Sequence, residues 1–441
     1  MNYKQVCKYL DDCLVFGIKP GLIRIKKILE LLGNPQRKYD FIHVVGTNGK
    51  TSTTMMLSAI LHYHDIKCGY YISPHIDNYT ERMWISGGEI SRARFTKLFE
   101  DIYPYVKKVN DMDLDGPMTQ FEILTAMVFK LGEEEGLDVM VLEAGMGGRW
   151  DATNAVNSKV VGLTGVSLEH TKMLGNTIGK IALEKVEVIK DRALVATFSK
   201  NKKVLSIIGK KVKDSFSRLF VFGSDFDILN LKKENTCGWN LDVKGTVAVY
   251  KKLRLPLPGG YQPFNLSLAI VLAELYLGIY NKHVKEKLLK SSILSLKIKG
   301  RFEVIKRNPL VIADSSHNPE GIKNLVKDVS KNFNKKRIII IFAVLKDKDC
   351  RRMISYILSI SDILILTSSL NSRSLDFGKL KEETLKIKKL REKRGKSIPF
   401  GIYNIDNIEN SLNFALKISK SNDIICITGS ITNLENIGNI I

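Results

Sequence analysis

The chain has 441 residues, 44% hydrophobic and 26% charged, and its 68 basic against 46 acidic residues leave a net charge of +22. That balance belongs to an ordinary soluble protein and excludes a disordered one, while the length asks for about two or three domains. No apolar leader follows Met1-Asn-Tyr-Lys-Gln5, and the longest apolar run, residues 338–345, is too short for a bilayer, so a cytoplasmic protein with no membrane partner is expected.

In chain order, residues 5–32 carry the Leu/Ile spacing of helix, broken between Gly17 and Gly21, and Gly33-Asn-Pro35 stops it. The stretch Phe41-Ile-His-Val-Val-Gly46-Thr-Asn-Gly49-Lys50-Thr51-Ser52 then reads as a strand running into a glycine turn, with a helix predicted over 53–64. A short strand at 68–72 opens into a polar loop, 73–82, whose His, Glu and Arg suggest function. Helices are predicted over 91–108 and 119–135, and strands over 138–143, ending in Glu143, and over 159–166. Between those strands lies a second Gly-rich loop, Gly145-Met-Gly-Gly148-Arg-Trp-Asp151-Ala-Thr-Asn154. A helix over 177–190 carries Glu184-Lys185, and strand–helix alternation continues to about Gly223. Residues 224–255 read as β-ribbon, followed by helices at 265–277 and 283–291. From about Ile298 the pattern restarts, with strands at 310–314, 337–344, 362–367 and 423–428 alternating with helices, as in a second, smaller doubly wound unit.

The Lys excess is spread along the chain. Its densest run, 379–396, includes Glu382, Glu383 and Glu392 and reads as a solvated helix face, and no aromatics interleave it as in single-strand binders. Cys7, Cys13, Cys68, Cys237, Cys350 and Cys426 form no C-x-x-C pair and read as reduced thiols, neither a disulfide framework nor a zinc site.

A strand that stops at a glycine turn and restarts as a helix aims backbone N–H groups and a helix N-terminus at one point, which suits a polyphosphate. Lys50 would reach the β/γ-phosphates and the Thr51 hydroxyl would ligate Mg²⁺. The loop is tighter than G-x-x-x-x-G-K-[ST], with its first glycine at Gly46 where that pattern would place it at Val44. In open parallel sheets ligands bind beyond the carboxyl ends of strands, and in the first unit those ends carry residues 46–51, Ser73, Glu143 and His170. Oxygen ligands suit Mg²⁺, so His170 is the less usual member. Singly these are also a capping Ser, a strand-end Glu and a satisfied His. Asp314-Ser-Ser-His317-Asn-Pro319 in the second unit is a strand-to-helix junction that also fits a plain helix cap with Pro in the first turn.

These motifs, together with Ser73-Pro-His75, Glu81-Arg82, Thr119-Gln-Phe-Glu122, Glu169-His170-Thr171, Glu184-Lys185, Gly300-Arg301, Asp347-Lys-Asp349 and Thr428-Gly-Ser430, resemble the folylpolyglutamate synthase/dihydrofolate synthase family of the Mur ligase superfamily over nearly the whole chain. The resemblance implies an α/β fold: a doubly wound, P-loop-type ATP-binding domain of residues 1–297, then a smaller Rossmann-like glutamate-ligase domain of residues 298–441. It implies ATP-dependent amide formation between a folate or pteroate carboxylate and L-glutamate by a monomer, with ATP and Mg²⁺ and without nucleic acid. Thr47, Asn48, Gly49, Lys50, Thr51 and Ser52 would bind ATP phosphates. Thr51, Ser73, Glu143 and His170 would hold Mg²⁺, joined by Lys185 as a carbamate. Asn265, Arg301 and Asp314 would meet the nucleotide from the far side of a cleft. His75, Arg82, Asp151 and Asn154 would bind substrate, and His317 and Ser430 would lie near the incoming glutamate. Lys50, Lys185, His170 and His317 form the implied catalytic set.

Three positions depart from the family pattern. Thr51-Ser52 stands where Gly-Ser is usual, Val186-Glu187-Val188 where a small Ala-Gly pair follows the lysine, and Tyr261-Gln262 where His-Gln precedes Asn265. They bear on which acceptor is used, not on the chemistry. The competing readings are a Mur-type ligase with another acceptor, such as a UDP-linked muramyl one, a P-loop ATPase on nucleic acid, and a non-catalytic nucleotide-binding partner protein.

Overall fold

A computed structural model describes the chain apart from residues 18, 235–237, 334–335, 370–372, 397 and 441, so Cys237 lies outside the described residues. The five described cysteines are free thiols. Contacts divide the chain into two units. The first comprises Met1–Leu231, Asn240–Leu255 and Pro263–Leu296, and the second Lys232–Trp239, Pro256–Gln262 and Lys297–Ile441.

The first unit is built on an eight-stranded sheet of β1 (Asp40–Val45), β2 (Cys68–Tyr71), β3 (Met83–Ile85), β4 (Gly88–Glu89), β5 (Val139–Glu143), β6 (Val160–Leu163), β7 (Leu194–Thr197) and β8 (Arg218–Val221), in the order β4-β3-β2-β5-β1-β6-β7-β8. All pairings are parallel except those of β3 with β2 and β4. The central strands are buried along almost their whole length, in keeping with their Val/Ile/Leu-rich sequences. The helices are α1 (Tyr3–Asp12), α2 (Ile23–Leu31), α3 (Lys50–Tyr63), α4 (Arg92–Asp111), α5 (Gln120–Glu134), α6 (Thr171–Leu174), α7 (Ile178–Lys185), α8 (Lys202–Asp214), α9 (Gln262–Ile279) and α10 (Glu286–Leu294). One core joins α1, α2, α4 and α5 to β1, β2 and β5, and another joins α7 and α8 to β6 and β7. The apolar helix α9 has a mean hydropathy of 1.3, long enough to cross a membrane, but 83% of it is buried, as in a core helix. A three-stranded ribbon, β9 (Asp227–Glu234), β10 (Gly238–Lys244) and β11 (Val249–Leu255), occupies the region expected to be one.

The second unit is a six-stranded sheet of β12 (Glu303–Arg307), β13 (Leu310–Ala313), β14 (Ile338–Phe342), β15 (Ile363–Ser368), β16 (Gly401–Asn407) and β17 (Ile424–Thr428), in the order β12-β13-β17-β14-β15-β16. Only β12 runs antiparallel to its neighbour. Its helices are α11 (Pro319–Phe333), α12 (Cys350–Ile357), α13 (Phe377–Glu392) and α14 (Ile408–Ile418).

The sequence reading needs four corrections. The helix after the phosphate loop begins at Lys50, not at residue 53, because the left-handed Gly49 ends the loop there. The helix expected over 177–190 stops at Lys185 and finishes as a 3-10 turn, Val186–Val188, which buries both valines. The β3–β4 hairpin and the edge strands β12 and β16 were not foreseen. Short strands with exposed or half-buried residues carry little alternation to read.

Candidate active site

Strand β1 pairs with β5 on one side and β6 on the other, so the chain leaves β1 at a topological switch point, where open α/β sheets bind ligands. Gly49 sits at φ +90°, and a Cβ there would lie 2.5 Å from the Asn265 side-chain oxygen, so only glycine fits. The buried Asn265 of α9 therefore packs on the phosphate loop within the first unit, which corrects its expected placement on the far side of a cleft. Thr47 fastens the loop to the end of β6. Its hydroxyl donates to the Ser167 carbonyl at 3.3 Å, its Oγ1 accepts from Ser167 N at 3.0 Å, and its amide donates to Gly165 O at 2.8 Å. Lys50 Nζ folds back onto Thr47 O at 3.1 Å. Asn48 lies on the same turn. The Ser52 hydroxyl is buried inside the fold without a hydrogen-bond partner.

The register sets Val44 opposite Glu143, which brings that carboxylate to the phosphate loop. The Thr51 hydroxyl donates to its oxygens at 2.9 and 3.0 Å, and Ser73 reaches it through its backbone N–H at 3.3 Å. Thr51, Ser73 and Glu143 are thus assembled as the sequence expects. His170 is the left-handed residue (φ +49°) before α6, with Nε2 3.8 Å from Glu169. No group of three or more His, Cys, Asp or Glu side chains suited to a metal occurs among the described residues. One carboxylate with hydroxyl oxygens still fits Mg²⁺, which takes one or two carboxylates beside phosphates and water.

Lys185 is the site's most unusual group. It is 4% exposed, and Nζ donates to Gly46 O at 2.6 Å. Burial, then the neighbouring Lys50 charge, presses its pKa down to about 7. The neighbouring carboxylates Glu184 and Glu187 pair with Arg149 and Lys211. Glu169, given no role by the sequence reading, supplies an opposing negative charge.

The second Gly-rich loop is stitched to this lysine. A Cβ on Gly148 would come within 2.6 Å of Glu184 O and 2.8 Å of Lys185 O, so glycine is needed for the close pass, and Arg149 N donates to Glu184 O at 3.0 Å. Asp151 turns inward, accepting from Met146 N at 2.8 Å, Thr153 N at 3.1 Å and the Thr153 hydroxyl. Asn154 Nδ2 donates to Arg149 O and Glu187 O at 3.2 and 3.4 Å. Both residues organise the loop.

In the loop after β2, Arg82 Nε donates to His75 Nδ1 at 2.8 Å, and its guanidinium lies 5.2 Å from the Tyr79 ring. Burial and then Arg82 lower the His75 pKa to about 3, so the ring is neutral and carries its proton on Nε2. Tyr79 donates to Asp11 and accepts from Gln120, each at 2.5 Å. This link from α1 across to α5 has no sequence signal, because its members lie far apart in the chain.

In the second unit, Asp314 ends β13 and accepts from Phe302 N (2.9 Å), Ser316 N (3.0 Å) and Tyr261 OH (3.3 Å). Burial raises its pKa. Arg301 donates to the Ser315 hydroxyl, and His317 Nδ1 lies 3.0 Å from Ser315 O. Gly429 N donates to Ser316 O at 3.0 Å, which joins this turn to Ser430 beyond β17. The Ser430 hydroxyl accepts from Thr432 N at 3.3 Å. The plain helix cap belongs to Asn318, which accepts from Gly321 N at 2.8 Å, and not to Asp314.

Residues 44–273 match the Mur ligase middle domain, and residues 300–431 match the Mur ligase glutamate ligase domain. The chain is 29% identical over 439 residues to the dihydrofolate synthase/folylpolyglutamate synthase of Bacillus subtilis, covering 99% of this chain and 98% of that one. It is 32% identical over 376 residues to the Mycobacterium tuberculosis protein of the same description, covering 81% and 76%. Its structure resembles that of Mycobacterium tuberculosis folylpolyglutamate synthase complexed with ADP and AMPPCP, with a TM-score of 0.88, 29% identity and coverage of 98% and 96%.

Proposed function

The chain belongs to the folylpolyglutamate synthase/dihydrofolate synthase family of Mur ligases, and from that premise we infer that it is an ATP-dependent ligase joining a folate or pteroate carboxylate to L-glutamate. The observation that carries the reading is the buried Lys185 beside Lys50 on a phosphate loop whose Thr51 is held against Glu143. Residues 1–297 would form the ATP-binding part and residues 298–441 the glutamate-ligase part.

In the first step the acceptor carboxylate attacks the γ-phosphorus of ATP, giving an acyl phosphate and ADP. Two anions must meet, so Lys50 and the N-terminus of α3 neutralise charge at the phosphates. Thr51, Ser73, Glu143, His170 and a carbamate of Lys185 would hold Mg²⁺, which supplies Lewis-acid neutralisation of the phosphate oxygens. In the second step the glutamate amine attacks the acyl carbon and phosphate leaves. His317 and Ser430 are assigned to glutamate, Arg301, Asp314 and Asn265 to the nucleotide, and the 73–82 and 145–154 loops to the acceptor.

The test is ADP release by the purified chain with ATP, L-glutamate and one acceptor at a time. Release with dihydropteroate or a reduced folate, dependent on glutamate, is expected. Release only with a UDP-muramyl acceptor, or stimulated by DNA or RNA alone, overturns the reading.

A further inference from the structure

His43 lies in the middle of β1, between β5 and β6, at a position that a buried parallel strand gives to Val or Ile. It is 1% exposed, and burial and then Lys190 press its pKa to about 3, so it stays neutral. A neutral imidazole here costs desolvation and is retained only with a hydrogen-bond partner. That partner is the Thr153 hydroxyl, 2.9 Å from Nε2. Thr153 has one hydroxyl proton, and it goes to Asp151 Oδ1. Oγ1 therefore accepts from His43, which fixes the imidazole proton on Nε2 and sets every donor in the row: His43 to Thr153 to Asp151.

The same loop is held at its other shoulder by Arg149 N on Glu184 O, next to Lys185, whose Nζ returns to Gly46 O. Gly46 lies three residues after His43. The connections thus leave β1 at His43, pass through the 145–154 loop and the end of α7, and close on β1 at the phosphate loop. Every member belongs to the first unit.

We propose that His43 is a positioning residue for the acceptor substrate: through Thr153 it fixes Asp151, and with it the 145–154 loop, against the strand that ends in the phosphate loop. The proposal rests on the reading that this loop meets the acceptor. Residues that orient others through a hydrogen bond act on binding geometry, and removing such a link typically costs about tenfold or more.

The experiment compares wild type with His43→Phe, His43→Gln, Thr153→Val and the His43→Phe/Thr153→Val double variant. Acceptor KM, ATP KM and kcat are read from ADP release, and amide hydrogen exchange is followed across 145–154. His43→Phe and Thr153→Val are expected to raise acceptor KM about tenfold with ATP KM nearly unchanged, and to speed exchange in the loop. The Gln variant, whose amide can still donate to Thr153, should recover most of the loss. The double variant should be no worse than the worse single one, because both changes cut one path. An unchanged acceptor KM in folded His43→Phe, or a loss confined to kcat and thermal stability, overturns the proposal. If His43→Phe does not fold, Thr153→Val, nearly isosteric, decides by the same criterion. Should wild type turn over no pterin-type acceptor, the proposed function fails; the exchange data then judge the positioning role, and unchanged exchange in Thr153→Val overturns it.

Discussion

Two strand edges in this molecule look alike in topology and differ in how their charges are settled. At the end of β1 a buried lysine, Lys185, sits beside a second cation, Lys50, donates to the Gly46 carbonyl and feels the opposing charges of Glu169 and Asp151. At the end of β13 a buried carboxylate, Asp314, is answered by two backbone N–H groups and a hydroxyl. Burying like charges together costs stability unless a counter-ion arrives. Those opposing charges do not offset burial and Lys50 at the first edge, which therefore suits anions, whereas the second is a finished rim. Substitutions at the first should strike turnover, and those at the second should strike positioning and stability.

The largest effect is expected at Lys50. Lys50→Ala should lower kcat by about 10²–10³-fold or more, since charge placed where it develops in the transition state is lost. Its melting temperature should be unchanged, because Lys50 makes one backbone contact. Near-normal turnover in the folded variant would erase the contrast between the edges. Lys185 comes next. An amine with its pKa near 7 is partly neutral at physiological pH and can add CO₂, turning a cation into an oxygen-ligand anion. Lys185→Ala should lose roughly 10–100-fold in activity, as for loss of one metal-orienting group. Lys185→Glu should regain part of it, and wild type should lose activity in CO₂-depleted buffer. An active Ala variant indifferent to CO₂ would return Lys185 to a structural role.

What could be read without a structure follows from sequence separation. The phosphate loop and its strand and helix are contiguous, so Gly46 to Thr51 and the apolar runs on either side announce them. Glu143 was legible as a strand-end carboxylate because a buried parallel strand shows as a continuous apolar run, here Val139-Met-Val-Leu142. The His43–Thr153 link was not legible, since 110 residues separate its members and a strand histidine carries no period of its own. Asn265 was misplaced for the same reason. Its approach to Gly49 is set by how α9 packs, and no local pattern encodes that. The end of α7 at Lys185 was missed because Val186-Glu-Val188 keeps an apolar spacing compatible with more helix.

The smallest effect on turnover is expected at Asp314, and it tests the finished rim directly. Phe302 N and the Tyr261 hydroxyl bond one carboxylate oxygen and Ser316 N the other, so in Asp314→Asn the single amide oxygen keeps the bond from Phe302 or that from Ser316, and the NH₂ group faces the other N–H. Activity should fall by about tenfold at most, mainly in the KM for ATP, and stability at neutral pH by about 1–3 kcal/mol, because one buried backbone N–H loses its acceptor. The pH dependence separates this from a simple loss of contact. Burial raises the Asp314 pKa above its ordinary value of 3.8. Between 3.8 and that raised value the native state keeps a proton that the unfolded chain has released. Through that window the stability contributed by this group falls as pH rises. The Asn variant has no such proton, so its unfolding free energy, measured with urea from pH 3.5 to 7, should lack that component and differ from wild type most at the acid end. A stability difference independent of pH would mean that Asp314 is not raised by burial. A kcat loss as large as that of Lys50→Ala would mean that the rim takes part in the chemistry and that the two edges do not divide the work.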